Sequence, residues 1–325
     1  MSEAQGLLPQ SWALVVNPVV LPGEQAYEIA PDVFLRRATL DEIAVIKWSL
    51  PHCVPNPFGM ANPVLNYETR LRVEKHNEGH STLHTDPLPP SEWCYNVVSN
   101  ESGDPNRMYL THLAACISST PLEMSCMTFS GGGLSGYRGG LVPRYFRGFA
   151  PIPQSTPTRE ALNEIRAISD RLLPYGIAGD PAFPDVMRGI QMFDSLNFLM
   201  ESSEFNVVGL FAIVEMLITH NPKLEDRGDS ITHQMQAKLP LLMRRFARPI
   251  AYAEYFDDRT DPRKIWTALY SYRSALAHGG VADFGKSLQV LKSATVATDF
   301  LRNVVAALLR QALIEPQLLH DLKNC

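Results

Sequence analysis

The chain has 325 residues, 45% hydrophobic and 19% charged, with a formal net charge of −5 and a pI near 6.0, which is globular composition and excludes a disordered chain. Residues 1–155 carry 10 basic and 14 acidic side chains and residues 156–325 carry 19 and 20, so neither half is a polycation able to coat nucleic acid by charge alone. Five scattered cysteines without a CxxC exclude a disulfide framework and a four-cysteine zinc site and fit a reducing cytoplasm.

The start, MSEAQGLLPQSWALVVNPVVLPG, lacks a basic n-region, and Asn17 and Pro18 break its apolar run, so no signal peptide is expected. No stretch approaches the length of a membrane span. Over the first 150 residues, prolines and turn residues separate short apolar runs: VFLRRATL, LRVEKH, WCYNVVS, MYLTHLAACI and SCMTFS. These read as a β-rich or α+β domain. One segment differs. TLDEIAVIKWSL places Asp41 and Glu42 in a first turn, with Ile43, Ile46 and Trp48 toward a core, and predicts a short helix.

APIPQSTPT (150–158) has linker composition. After it the apolar period becomes helical. TREALNEIRAISDRLL starts at Thr158 and repeats apolar residues at 162, 165, 168 and 172. A Pro/Gly loop comes next, then VMRGIQMFDSLNFLM as a second helix. EFNVVGLFAIVEMLITH, apolar nearly all round, reads as a third at the centre of a bundle. SITHQMQAKLPLLMRRFARPI is a fourth, with Pro240 able to bend it. PRKIWTALYSYRSALAH is a fifth, opened by Pro262 and closed by Gly279-Gly280. The sixth, KSLQVLKSATVATDFLRNVVAALLRQALIE, is long and stops at Pro316. The whole reads as multidomain α+β: a β-rich or α+β domain over 1–155, then an all-α bundle over 156–325.

The chemistry concentrates in Tyr270-Ser271-Tyr272-Arg273-Ser274-Ala275-Leu276-Ala277-His278-Gly279-Gly280. A five-residue offset on an ideal helix sets Arg273 and His278 roughly 140° apart. They meet only if Arg273 reaches round or the helix unwinds at His278. An Arg can stabilise charge building on phosphate oxygens, and a His can move the proton of a ribose 2′-OH or of a leaving 5′-oxygen. RNA carries its own nucleophile, so this chemistry calls for no metal or cofactor. The bland reading is a structural ion pair at Arg273 and a helix cap at His278.

YSYRSALAHGG resembles the R-x4–6-H signature of the HEPN superfamily. The succession NVVGLFAIVEMLITH, SITHQMQAKLPLLM and RS-x3-HG, over roughly 200–310, resembles the Apea-like HEPN family. The resemblance implies a helical bundle that usually dimerises, and a metal-independent endoribonuclease of phage defence or stress, or a non-catalytic relative that binds RNA or protein. If the second half is such a nuclease, the domain over 1–155 would sense a trigger or restrain the activity. It puts Arg273 and His278 at the motif positions. Ser274 stands where many members carry Asn, Asp or His. Tyr270 lies one turn ahead in the same segment. Glu215, alone on an apolar helix, needs a partner against the cost of burial, and Arg273 is the expected one.

Other signals are weaker. His76, His80 and His84, with His52 and Cys53 upstream, have ligand chemistry but sit at strand ends and loops, where surface histidines are commoner. Gly131 to Gly136 matches GxGxxG formally, yet the segment from Tyr137 to Pro143 cannot open a helix, so a β-connection is expected. Arg138, Arg144, Tyr145, Phe146, Arg147 and Phe149 interleave cations and rings, as an RNA edge or a plain strand would. Arg244, Arg245 and Arg248 form a second basic cluster, able to guide a phosphate backbone or to cap a helix.

Overall fold

The computed structural model describes residues 11–23, 26–53, 67–75, 81–130, 133–137, 155–200, 203–220 and 230–325. They fall into two compact units. The first comprises residues 1–116 and 120–170, the second 117–119 and 171–325.

The first unit is built on an antiparallel six-stranded sheet of order β2-β3-β6-β1-β7-β8. Its strands are β1 (Ser11–Val15), β2 (Tyr27–Ala30), β3 (Val33–Arg37), β6 (Asn96–Asn100), β7 (Met124–Ser130) and β8 (Gly133–Tyr137). A separate hairpin pairs β4 (Thr69–Lys75) with β5 (Ser81–Pro87). The central strand β1 is buried on both faces. One face sets Trp12, Leu14 and Val16 against Ile43 and Ile46 of α1 (Leu40–Cys53), with Tyr67, Cys94, Tyr95 and Val97 completing that core. The neighbouring β6 is buried throughout despite Asn96, Ser99 and Asn100, because each polar side chain is bonded. Asn96 Nδ2 donates to the Val19 carbonyl at 2.6 Å and Asn100 Nδ2 to the Asp104 carbonyl at 2.7 Å.

Helix α1 begins where the sequence places it, through a reciprocal cap. The Thr39 hydroxyl accepts from the Glu42 N–H at 3.2 Å while Glu42 Oε2 accepts from the Thr39 N–H at 2.8 Å. Arg36 also grips Glu42 with two N–H groups, at 2.8 and 2.7 Å. Burial alone would raise the Glu42 pKa, but the bonds from Arg36 and Thr39 hold it below the ordinary carboxylate value. Trp48 departs from expectation. It is 66% exposed, because it lies about 140° round the helix from Ile43 and so leaves the face that Ile43 and Ile46 bury.

MYLTHLAACI is not a β-run. It forms α2 (Pro105–Ile117), with Pro105 at its first position and the Asp104 carboxylate accepting from the Asn106 N–H at 2.9 Å. Continuous burial from Leu113 to Ser118 hides the helical period in the sequence. Helix α3 (Arg159–Leu172) starts on Thr158, whose hydroxyl accepts from the Ala161 N–H at 3.2 Å, and buries Leu162, Ile165, Ile168 and Leu172. Its first twelve residues group with the first unit. Ser155 bridges to the segment before them, accepting from the Val20 N–H at 2.8 Å, and Arg166 pairs with Glu28. The division thus falls after Asp170, beyond the linker at 150–158.

The second unit is all helical: α4 (Pro184–Leu196), α5 (Phe205–Ile218), α6 (Ile231–Met243), α7 (Pro262–Ala277), α8 (Ala294–Ile314) and α9 (Pro316–Asn324). Helix α5 packs against all five others, as its apolar circumference requires. Helix α6 continues through Pro240. Helix α8 opens at Ala294, not near Lys286, because Lys292 takes a φ of 62° and the Ser293 hydroxyl caps the Val296 N–H. Pro316 ends α8 and also starts α9, a helix not expected from the sequence, since proline suits a first helical position. Phe300 of α8 is surrounded by Tyr252, Tyr255, Phe256 and Trp266, with ring centroids 5.0 to 5.7 Å away.

The end of α7 is fixed by glycine chemistry. His278 is its C-cap, Gly279 takes a φ of 69°, the Gly279 N–H donates to the Leu276 carbonyl at 3.4 Å and the Gly280 N–H to the Ala275 carbonyl at 2.7 Å. Nothing lies within 4 Å of a Cβ built on Gly279, so Gly279→Ala carries a backbone cost only. It is expected to destabilise the second unit by about 1 kcal/mol, read from urea unfolding midpoints.

Candidate functional site

The site forms where α7 crosses α5. Along α7, Asp261 accepts from the Arg263 N–H at 2.9 Å and Pro262 comes next, so the helix has a defined start. Ile265, Trp266, Ala268, Leu269 and Tyr272 are its buried residues. Tyr270 and Arg273, one turn apart, meet Phe211 and Glu215, one turn apart on α5. The Tyr270 ring stands edge-on to Phe211 at 6.3 Å, and the Arg273 guanidinium lies 5.9 Å from the Tyr270 centroid. Arg273 Nη2 donates to Glu215 Oε2 at 3.2 Å, the pairing expected from the burial argument.

This ion pair is incomplete. The side chains are 25% and 18% exposed, and one N–H makes the contact. Among the described residues, Arg273 Nε and Glu215 Oε1 are both shut off from solvent without a hydrogen-bond partner. A charge-assisted fork usually closes two bonds at about 2.7–2.9 Å. Here burial pushes the Glu215 pKa up, and the opposing pull of Arg273 does not restore it.

His278 sits five residues after Arg273 and just past the last turn, exposed, and its N–H donates to the Ser274 carbonyl at 3.1 Å. Among the described residues its imidazole has neither a hydrogen bond nor an ion pair. The helix stays wound through Ala277, so the geometry is that of an intact helix whose cap carries the imidazole. The structure therefore joins Glu215, Arg273 and Tyr270 by contact and leaves His278 free at the helix end. Ser274, half-buried, contributes its carbonyl to that end.

The basic cluster after α6 has two of its three arginines, Arg245 and Arg248, bonded within the second unit. Arg244 is the C-cap of α6 and exposed. Arg245 holds Glu315 with both ends of its fork, Nε donating to Oε2 at 2.9 Å, so a phosphate there must displace a carboxylate. Arg248 donates to the Ser119 hydroxyl. Lys238, which the sequence does not single out, is buried. Its ammonium donates to the Ile218 carbonyl at the end of α5 at 3.1 Å and to the Cys325 carbonyl at 3.3 Å, a placement that suits the negative end of a helix.

Of the remaining signals, His84 lies 3.0 Å from the Glu74 carboxylate across the β4–β5 hairpin. His76, His80, Gly131, Gly132, Arg138, Arg144, Tyr145, Phe146, Arg147 and Phe149 lie outside the described residues, and the side chains of His52 and Cys53 do too. Gly133 to Gly136 belong to β8, paired with β7, and open no helix, so the GxGxxG match is not a dinucleotide turn. No helix among the described residues is long and apolar enough to cross a membrane. No protein-family model matches the chain, and no curated protein or solved structure matches it.

Proposed function

We propose that the second unit is an RNA-cleaving domain of the HEPN type, acting without metal, with Arg273 on the scissile phosphate and His278 moving the protons. Attack by the ribose 2′-oxygen on phosphorus forms the new P–O bond as the P–O5′ bond breaks, leaving a 2′,3′-cyclic phosphate and a free 5′-hydroxyl. The observation that carries the reading is the placement of a partly exposed guanidinium, held by Glu215, on the last turns of the helix that His278 caps. Among the described residues no bond competes for the exposed imidazole, which suits a group that takes and returns a proton. A second copy of the chain, pairing through this unit, would bring two such helix ends to one cleft. The first unit would sense a trigger or restrain the nuclease in a cytoplasmic defence or stress role.

The test is RNA incubated with EDTA-treated protein. The wild type is expected to cleave and to leave cyclic phosphate ends, and His278→Ala to fall by about 10²–10⁴-fold. Cleavage that EDTA abolishes, or that His278→Ala retains, ends this reading. RNA bound equally by both and cut by neither makes the domain a binding module.

A further inference from the structure

The Arg273–Glu215 pair has more chemistry than a holding contact requires. Glu215 is the one charged residue of α5, between Val214 and Met216, with Phe211 one turn back. Arg273 of α7 is the charged group that acts on it. Helices α4, α6, α8 and α9 also pack on α5, and among the described residues they add no charge at this carboxylate. Among the described residues, two atoms of the pair that ought to face each other, Arg273 Nε and Glu215 Oε1, are buried and unbonded. A buried donor and acceptor left open each cost free energy that a rearrangement can recover.

We propose that Glu215 is a proton-coupled positioning residue: when an RNA phosphate binds Arg273, the carboxylate contact is released and Glu215 takes a proton from solvent. This rests on the reading of Arg273 as the phosphate ligand. The physical cause is direct. A phosphate drawn to the guanidinium comes close to a carboxylate on the same group, and two like charges in a half-buried site disfavour each other's ionised forms. The carboxylate is already harder to ionise than an exposed glutamate, since burial raises its pKa beyond what Arg273 offsets. Protonation removes the repulsion, frees a second N–H edge of the guanidinium and leaves a neutral carboxyl where a charge was costly. Between phosphate visits, the ionised Glu215 holds Arg273 in place.

The sign comes from linkage. Glu215 binds a proton more tightly in the complex than in the free protein. Affinity for phosphate therefore falls as pH rises between those two pKa values, both above the ordinary glutamate value, and is flat outside that window. His278, exposed at the end of the same helix, can also meet an anion, so it is removed for the measurement.

The experiment uses the full chain with His278→Ala and a fluorescent 2′-O-methylated RNA oligonucleotide, which offers phosphates but no nucleophile. Affinity is measured from about pH 5 to about pH 8. It is expected to weaken with rising pH, and binding is expected to take up protons, seen by calorimetry in two buffers of different ionisation heat. Adding Glu215→Gln is expected to give a pH-independent affinity, about tenfold tighter at neutral pH. A slope unchanged by Glu215→Gln, or binding without proton uptake, overturns the proposal; the calorimetric arm needs no substitution at Glu215 and so does not depend on that variant folding. If Arg273→Gln binds the oligonucleotide as tightly as its parent, it is the phosphate role of Arg273 that fails, and the coupling falls with it.

Discussion

Arg273→Lys is expected to lose RNA cleavage almost as fully as Arg273→Ala, by about 10²–10³-fold. The comparison separates two roles for the same side chain. If Arg273 were only the counter-charge of Glu215, a lysine would satisfy it, because an ammonium can reach a carboxylate from the same helix position. If it binds the developing charge on phosphorus oxygens, the planar fork matters, since a guanidinium can present paired N–H groups to two oxygens where an ammonium offers a point charge. The edge-on arrangement of Phe211 and Tyr270 beside the guanidinium also favours a flat cation over a compact one. Initial cleavage rates of the two variants, beside their unfolding midpoints, decide the matter. Activity retained by Arg273→Lys and lost in Arg273→Ala makes the residue a structural partner.

Phe300→Ala is expected to destabilise the second unit by about 3–5 kcal/mol. Phe300 is fully buried, and the four rings packed on it come from the segment before α7 (Tyr252, Tyr255, Phe256) and from α7 itself (Trp266). Removing the ring leaves a void that rigid neighbours cannot collapse into. Trp266 Nε1 donates to the Tyr252 hydroxyl at 2.9 Å, which fixes two of those neighbours. Trp266 also reports the change, because it is the only tryptophan in the second unit; the others, Trp12, Trp48 and Trp93, belong to the first. Its fluorescence during urea unfolding should move to a lower midpoint with an unchanged slope. A midpoint within experimental error of wild type would mean that the cluster contributes little.

Legibility in the sequence tracks the strength of local signals. Helix α7 is readable end to end: Asp261-Pro262 opens it, His278-Gly279-Gly280 closes it, and both devices act through backbone bonds within a few residues. Thr158 marks the start of α3 for the same reason. The Glu215–Arg273 contact is legible through energetics, since an acidic residue on an apolar helix demands a cation. The incompleteness of that contact stays hidden, because it depends on where two side chains stop short and not on which residues they are. Helix α2 is missed because burial from Leu113 to Ser118 erases the amphipathic period, although Asp104-Pro105 carries a start signal. Hydrophobicity alone turns Trp48 inward, while its angular position puts it outward. The division into compact units after Asp170 is not legible, because Pro-rich composition marks a connection but not which side the next helix joins; the Ser155 bridge and the Arg166–Glu28 pair act over long sequence separations.

The unbroken winding of α7 from Arg273 to its cap makes the interval between them an angular setting. Each residue added to or removed from the segment Ser274–Ala277 would swing the imidazole by about 100° and shift it by about 1.5 Å along the axis, while Arg273 stayed docked on its carboxylate. The count of intervening residues therefore acts like the phase of a gear: side chains there can change with little consequence for direction, whereas a one-residue insertion or deletion would turn the histidine toward a different quarter of the surface.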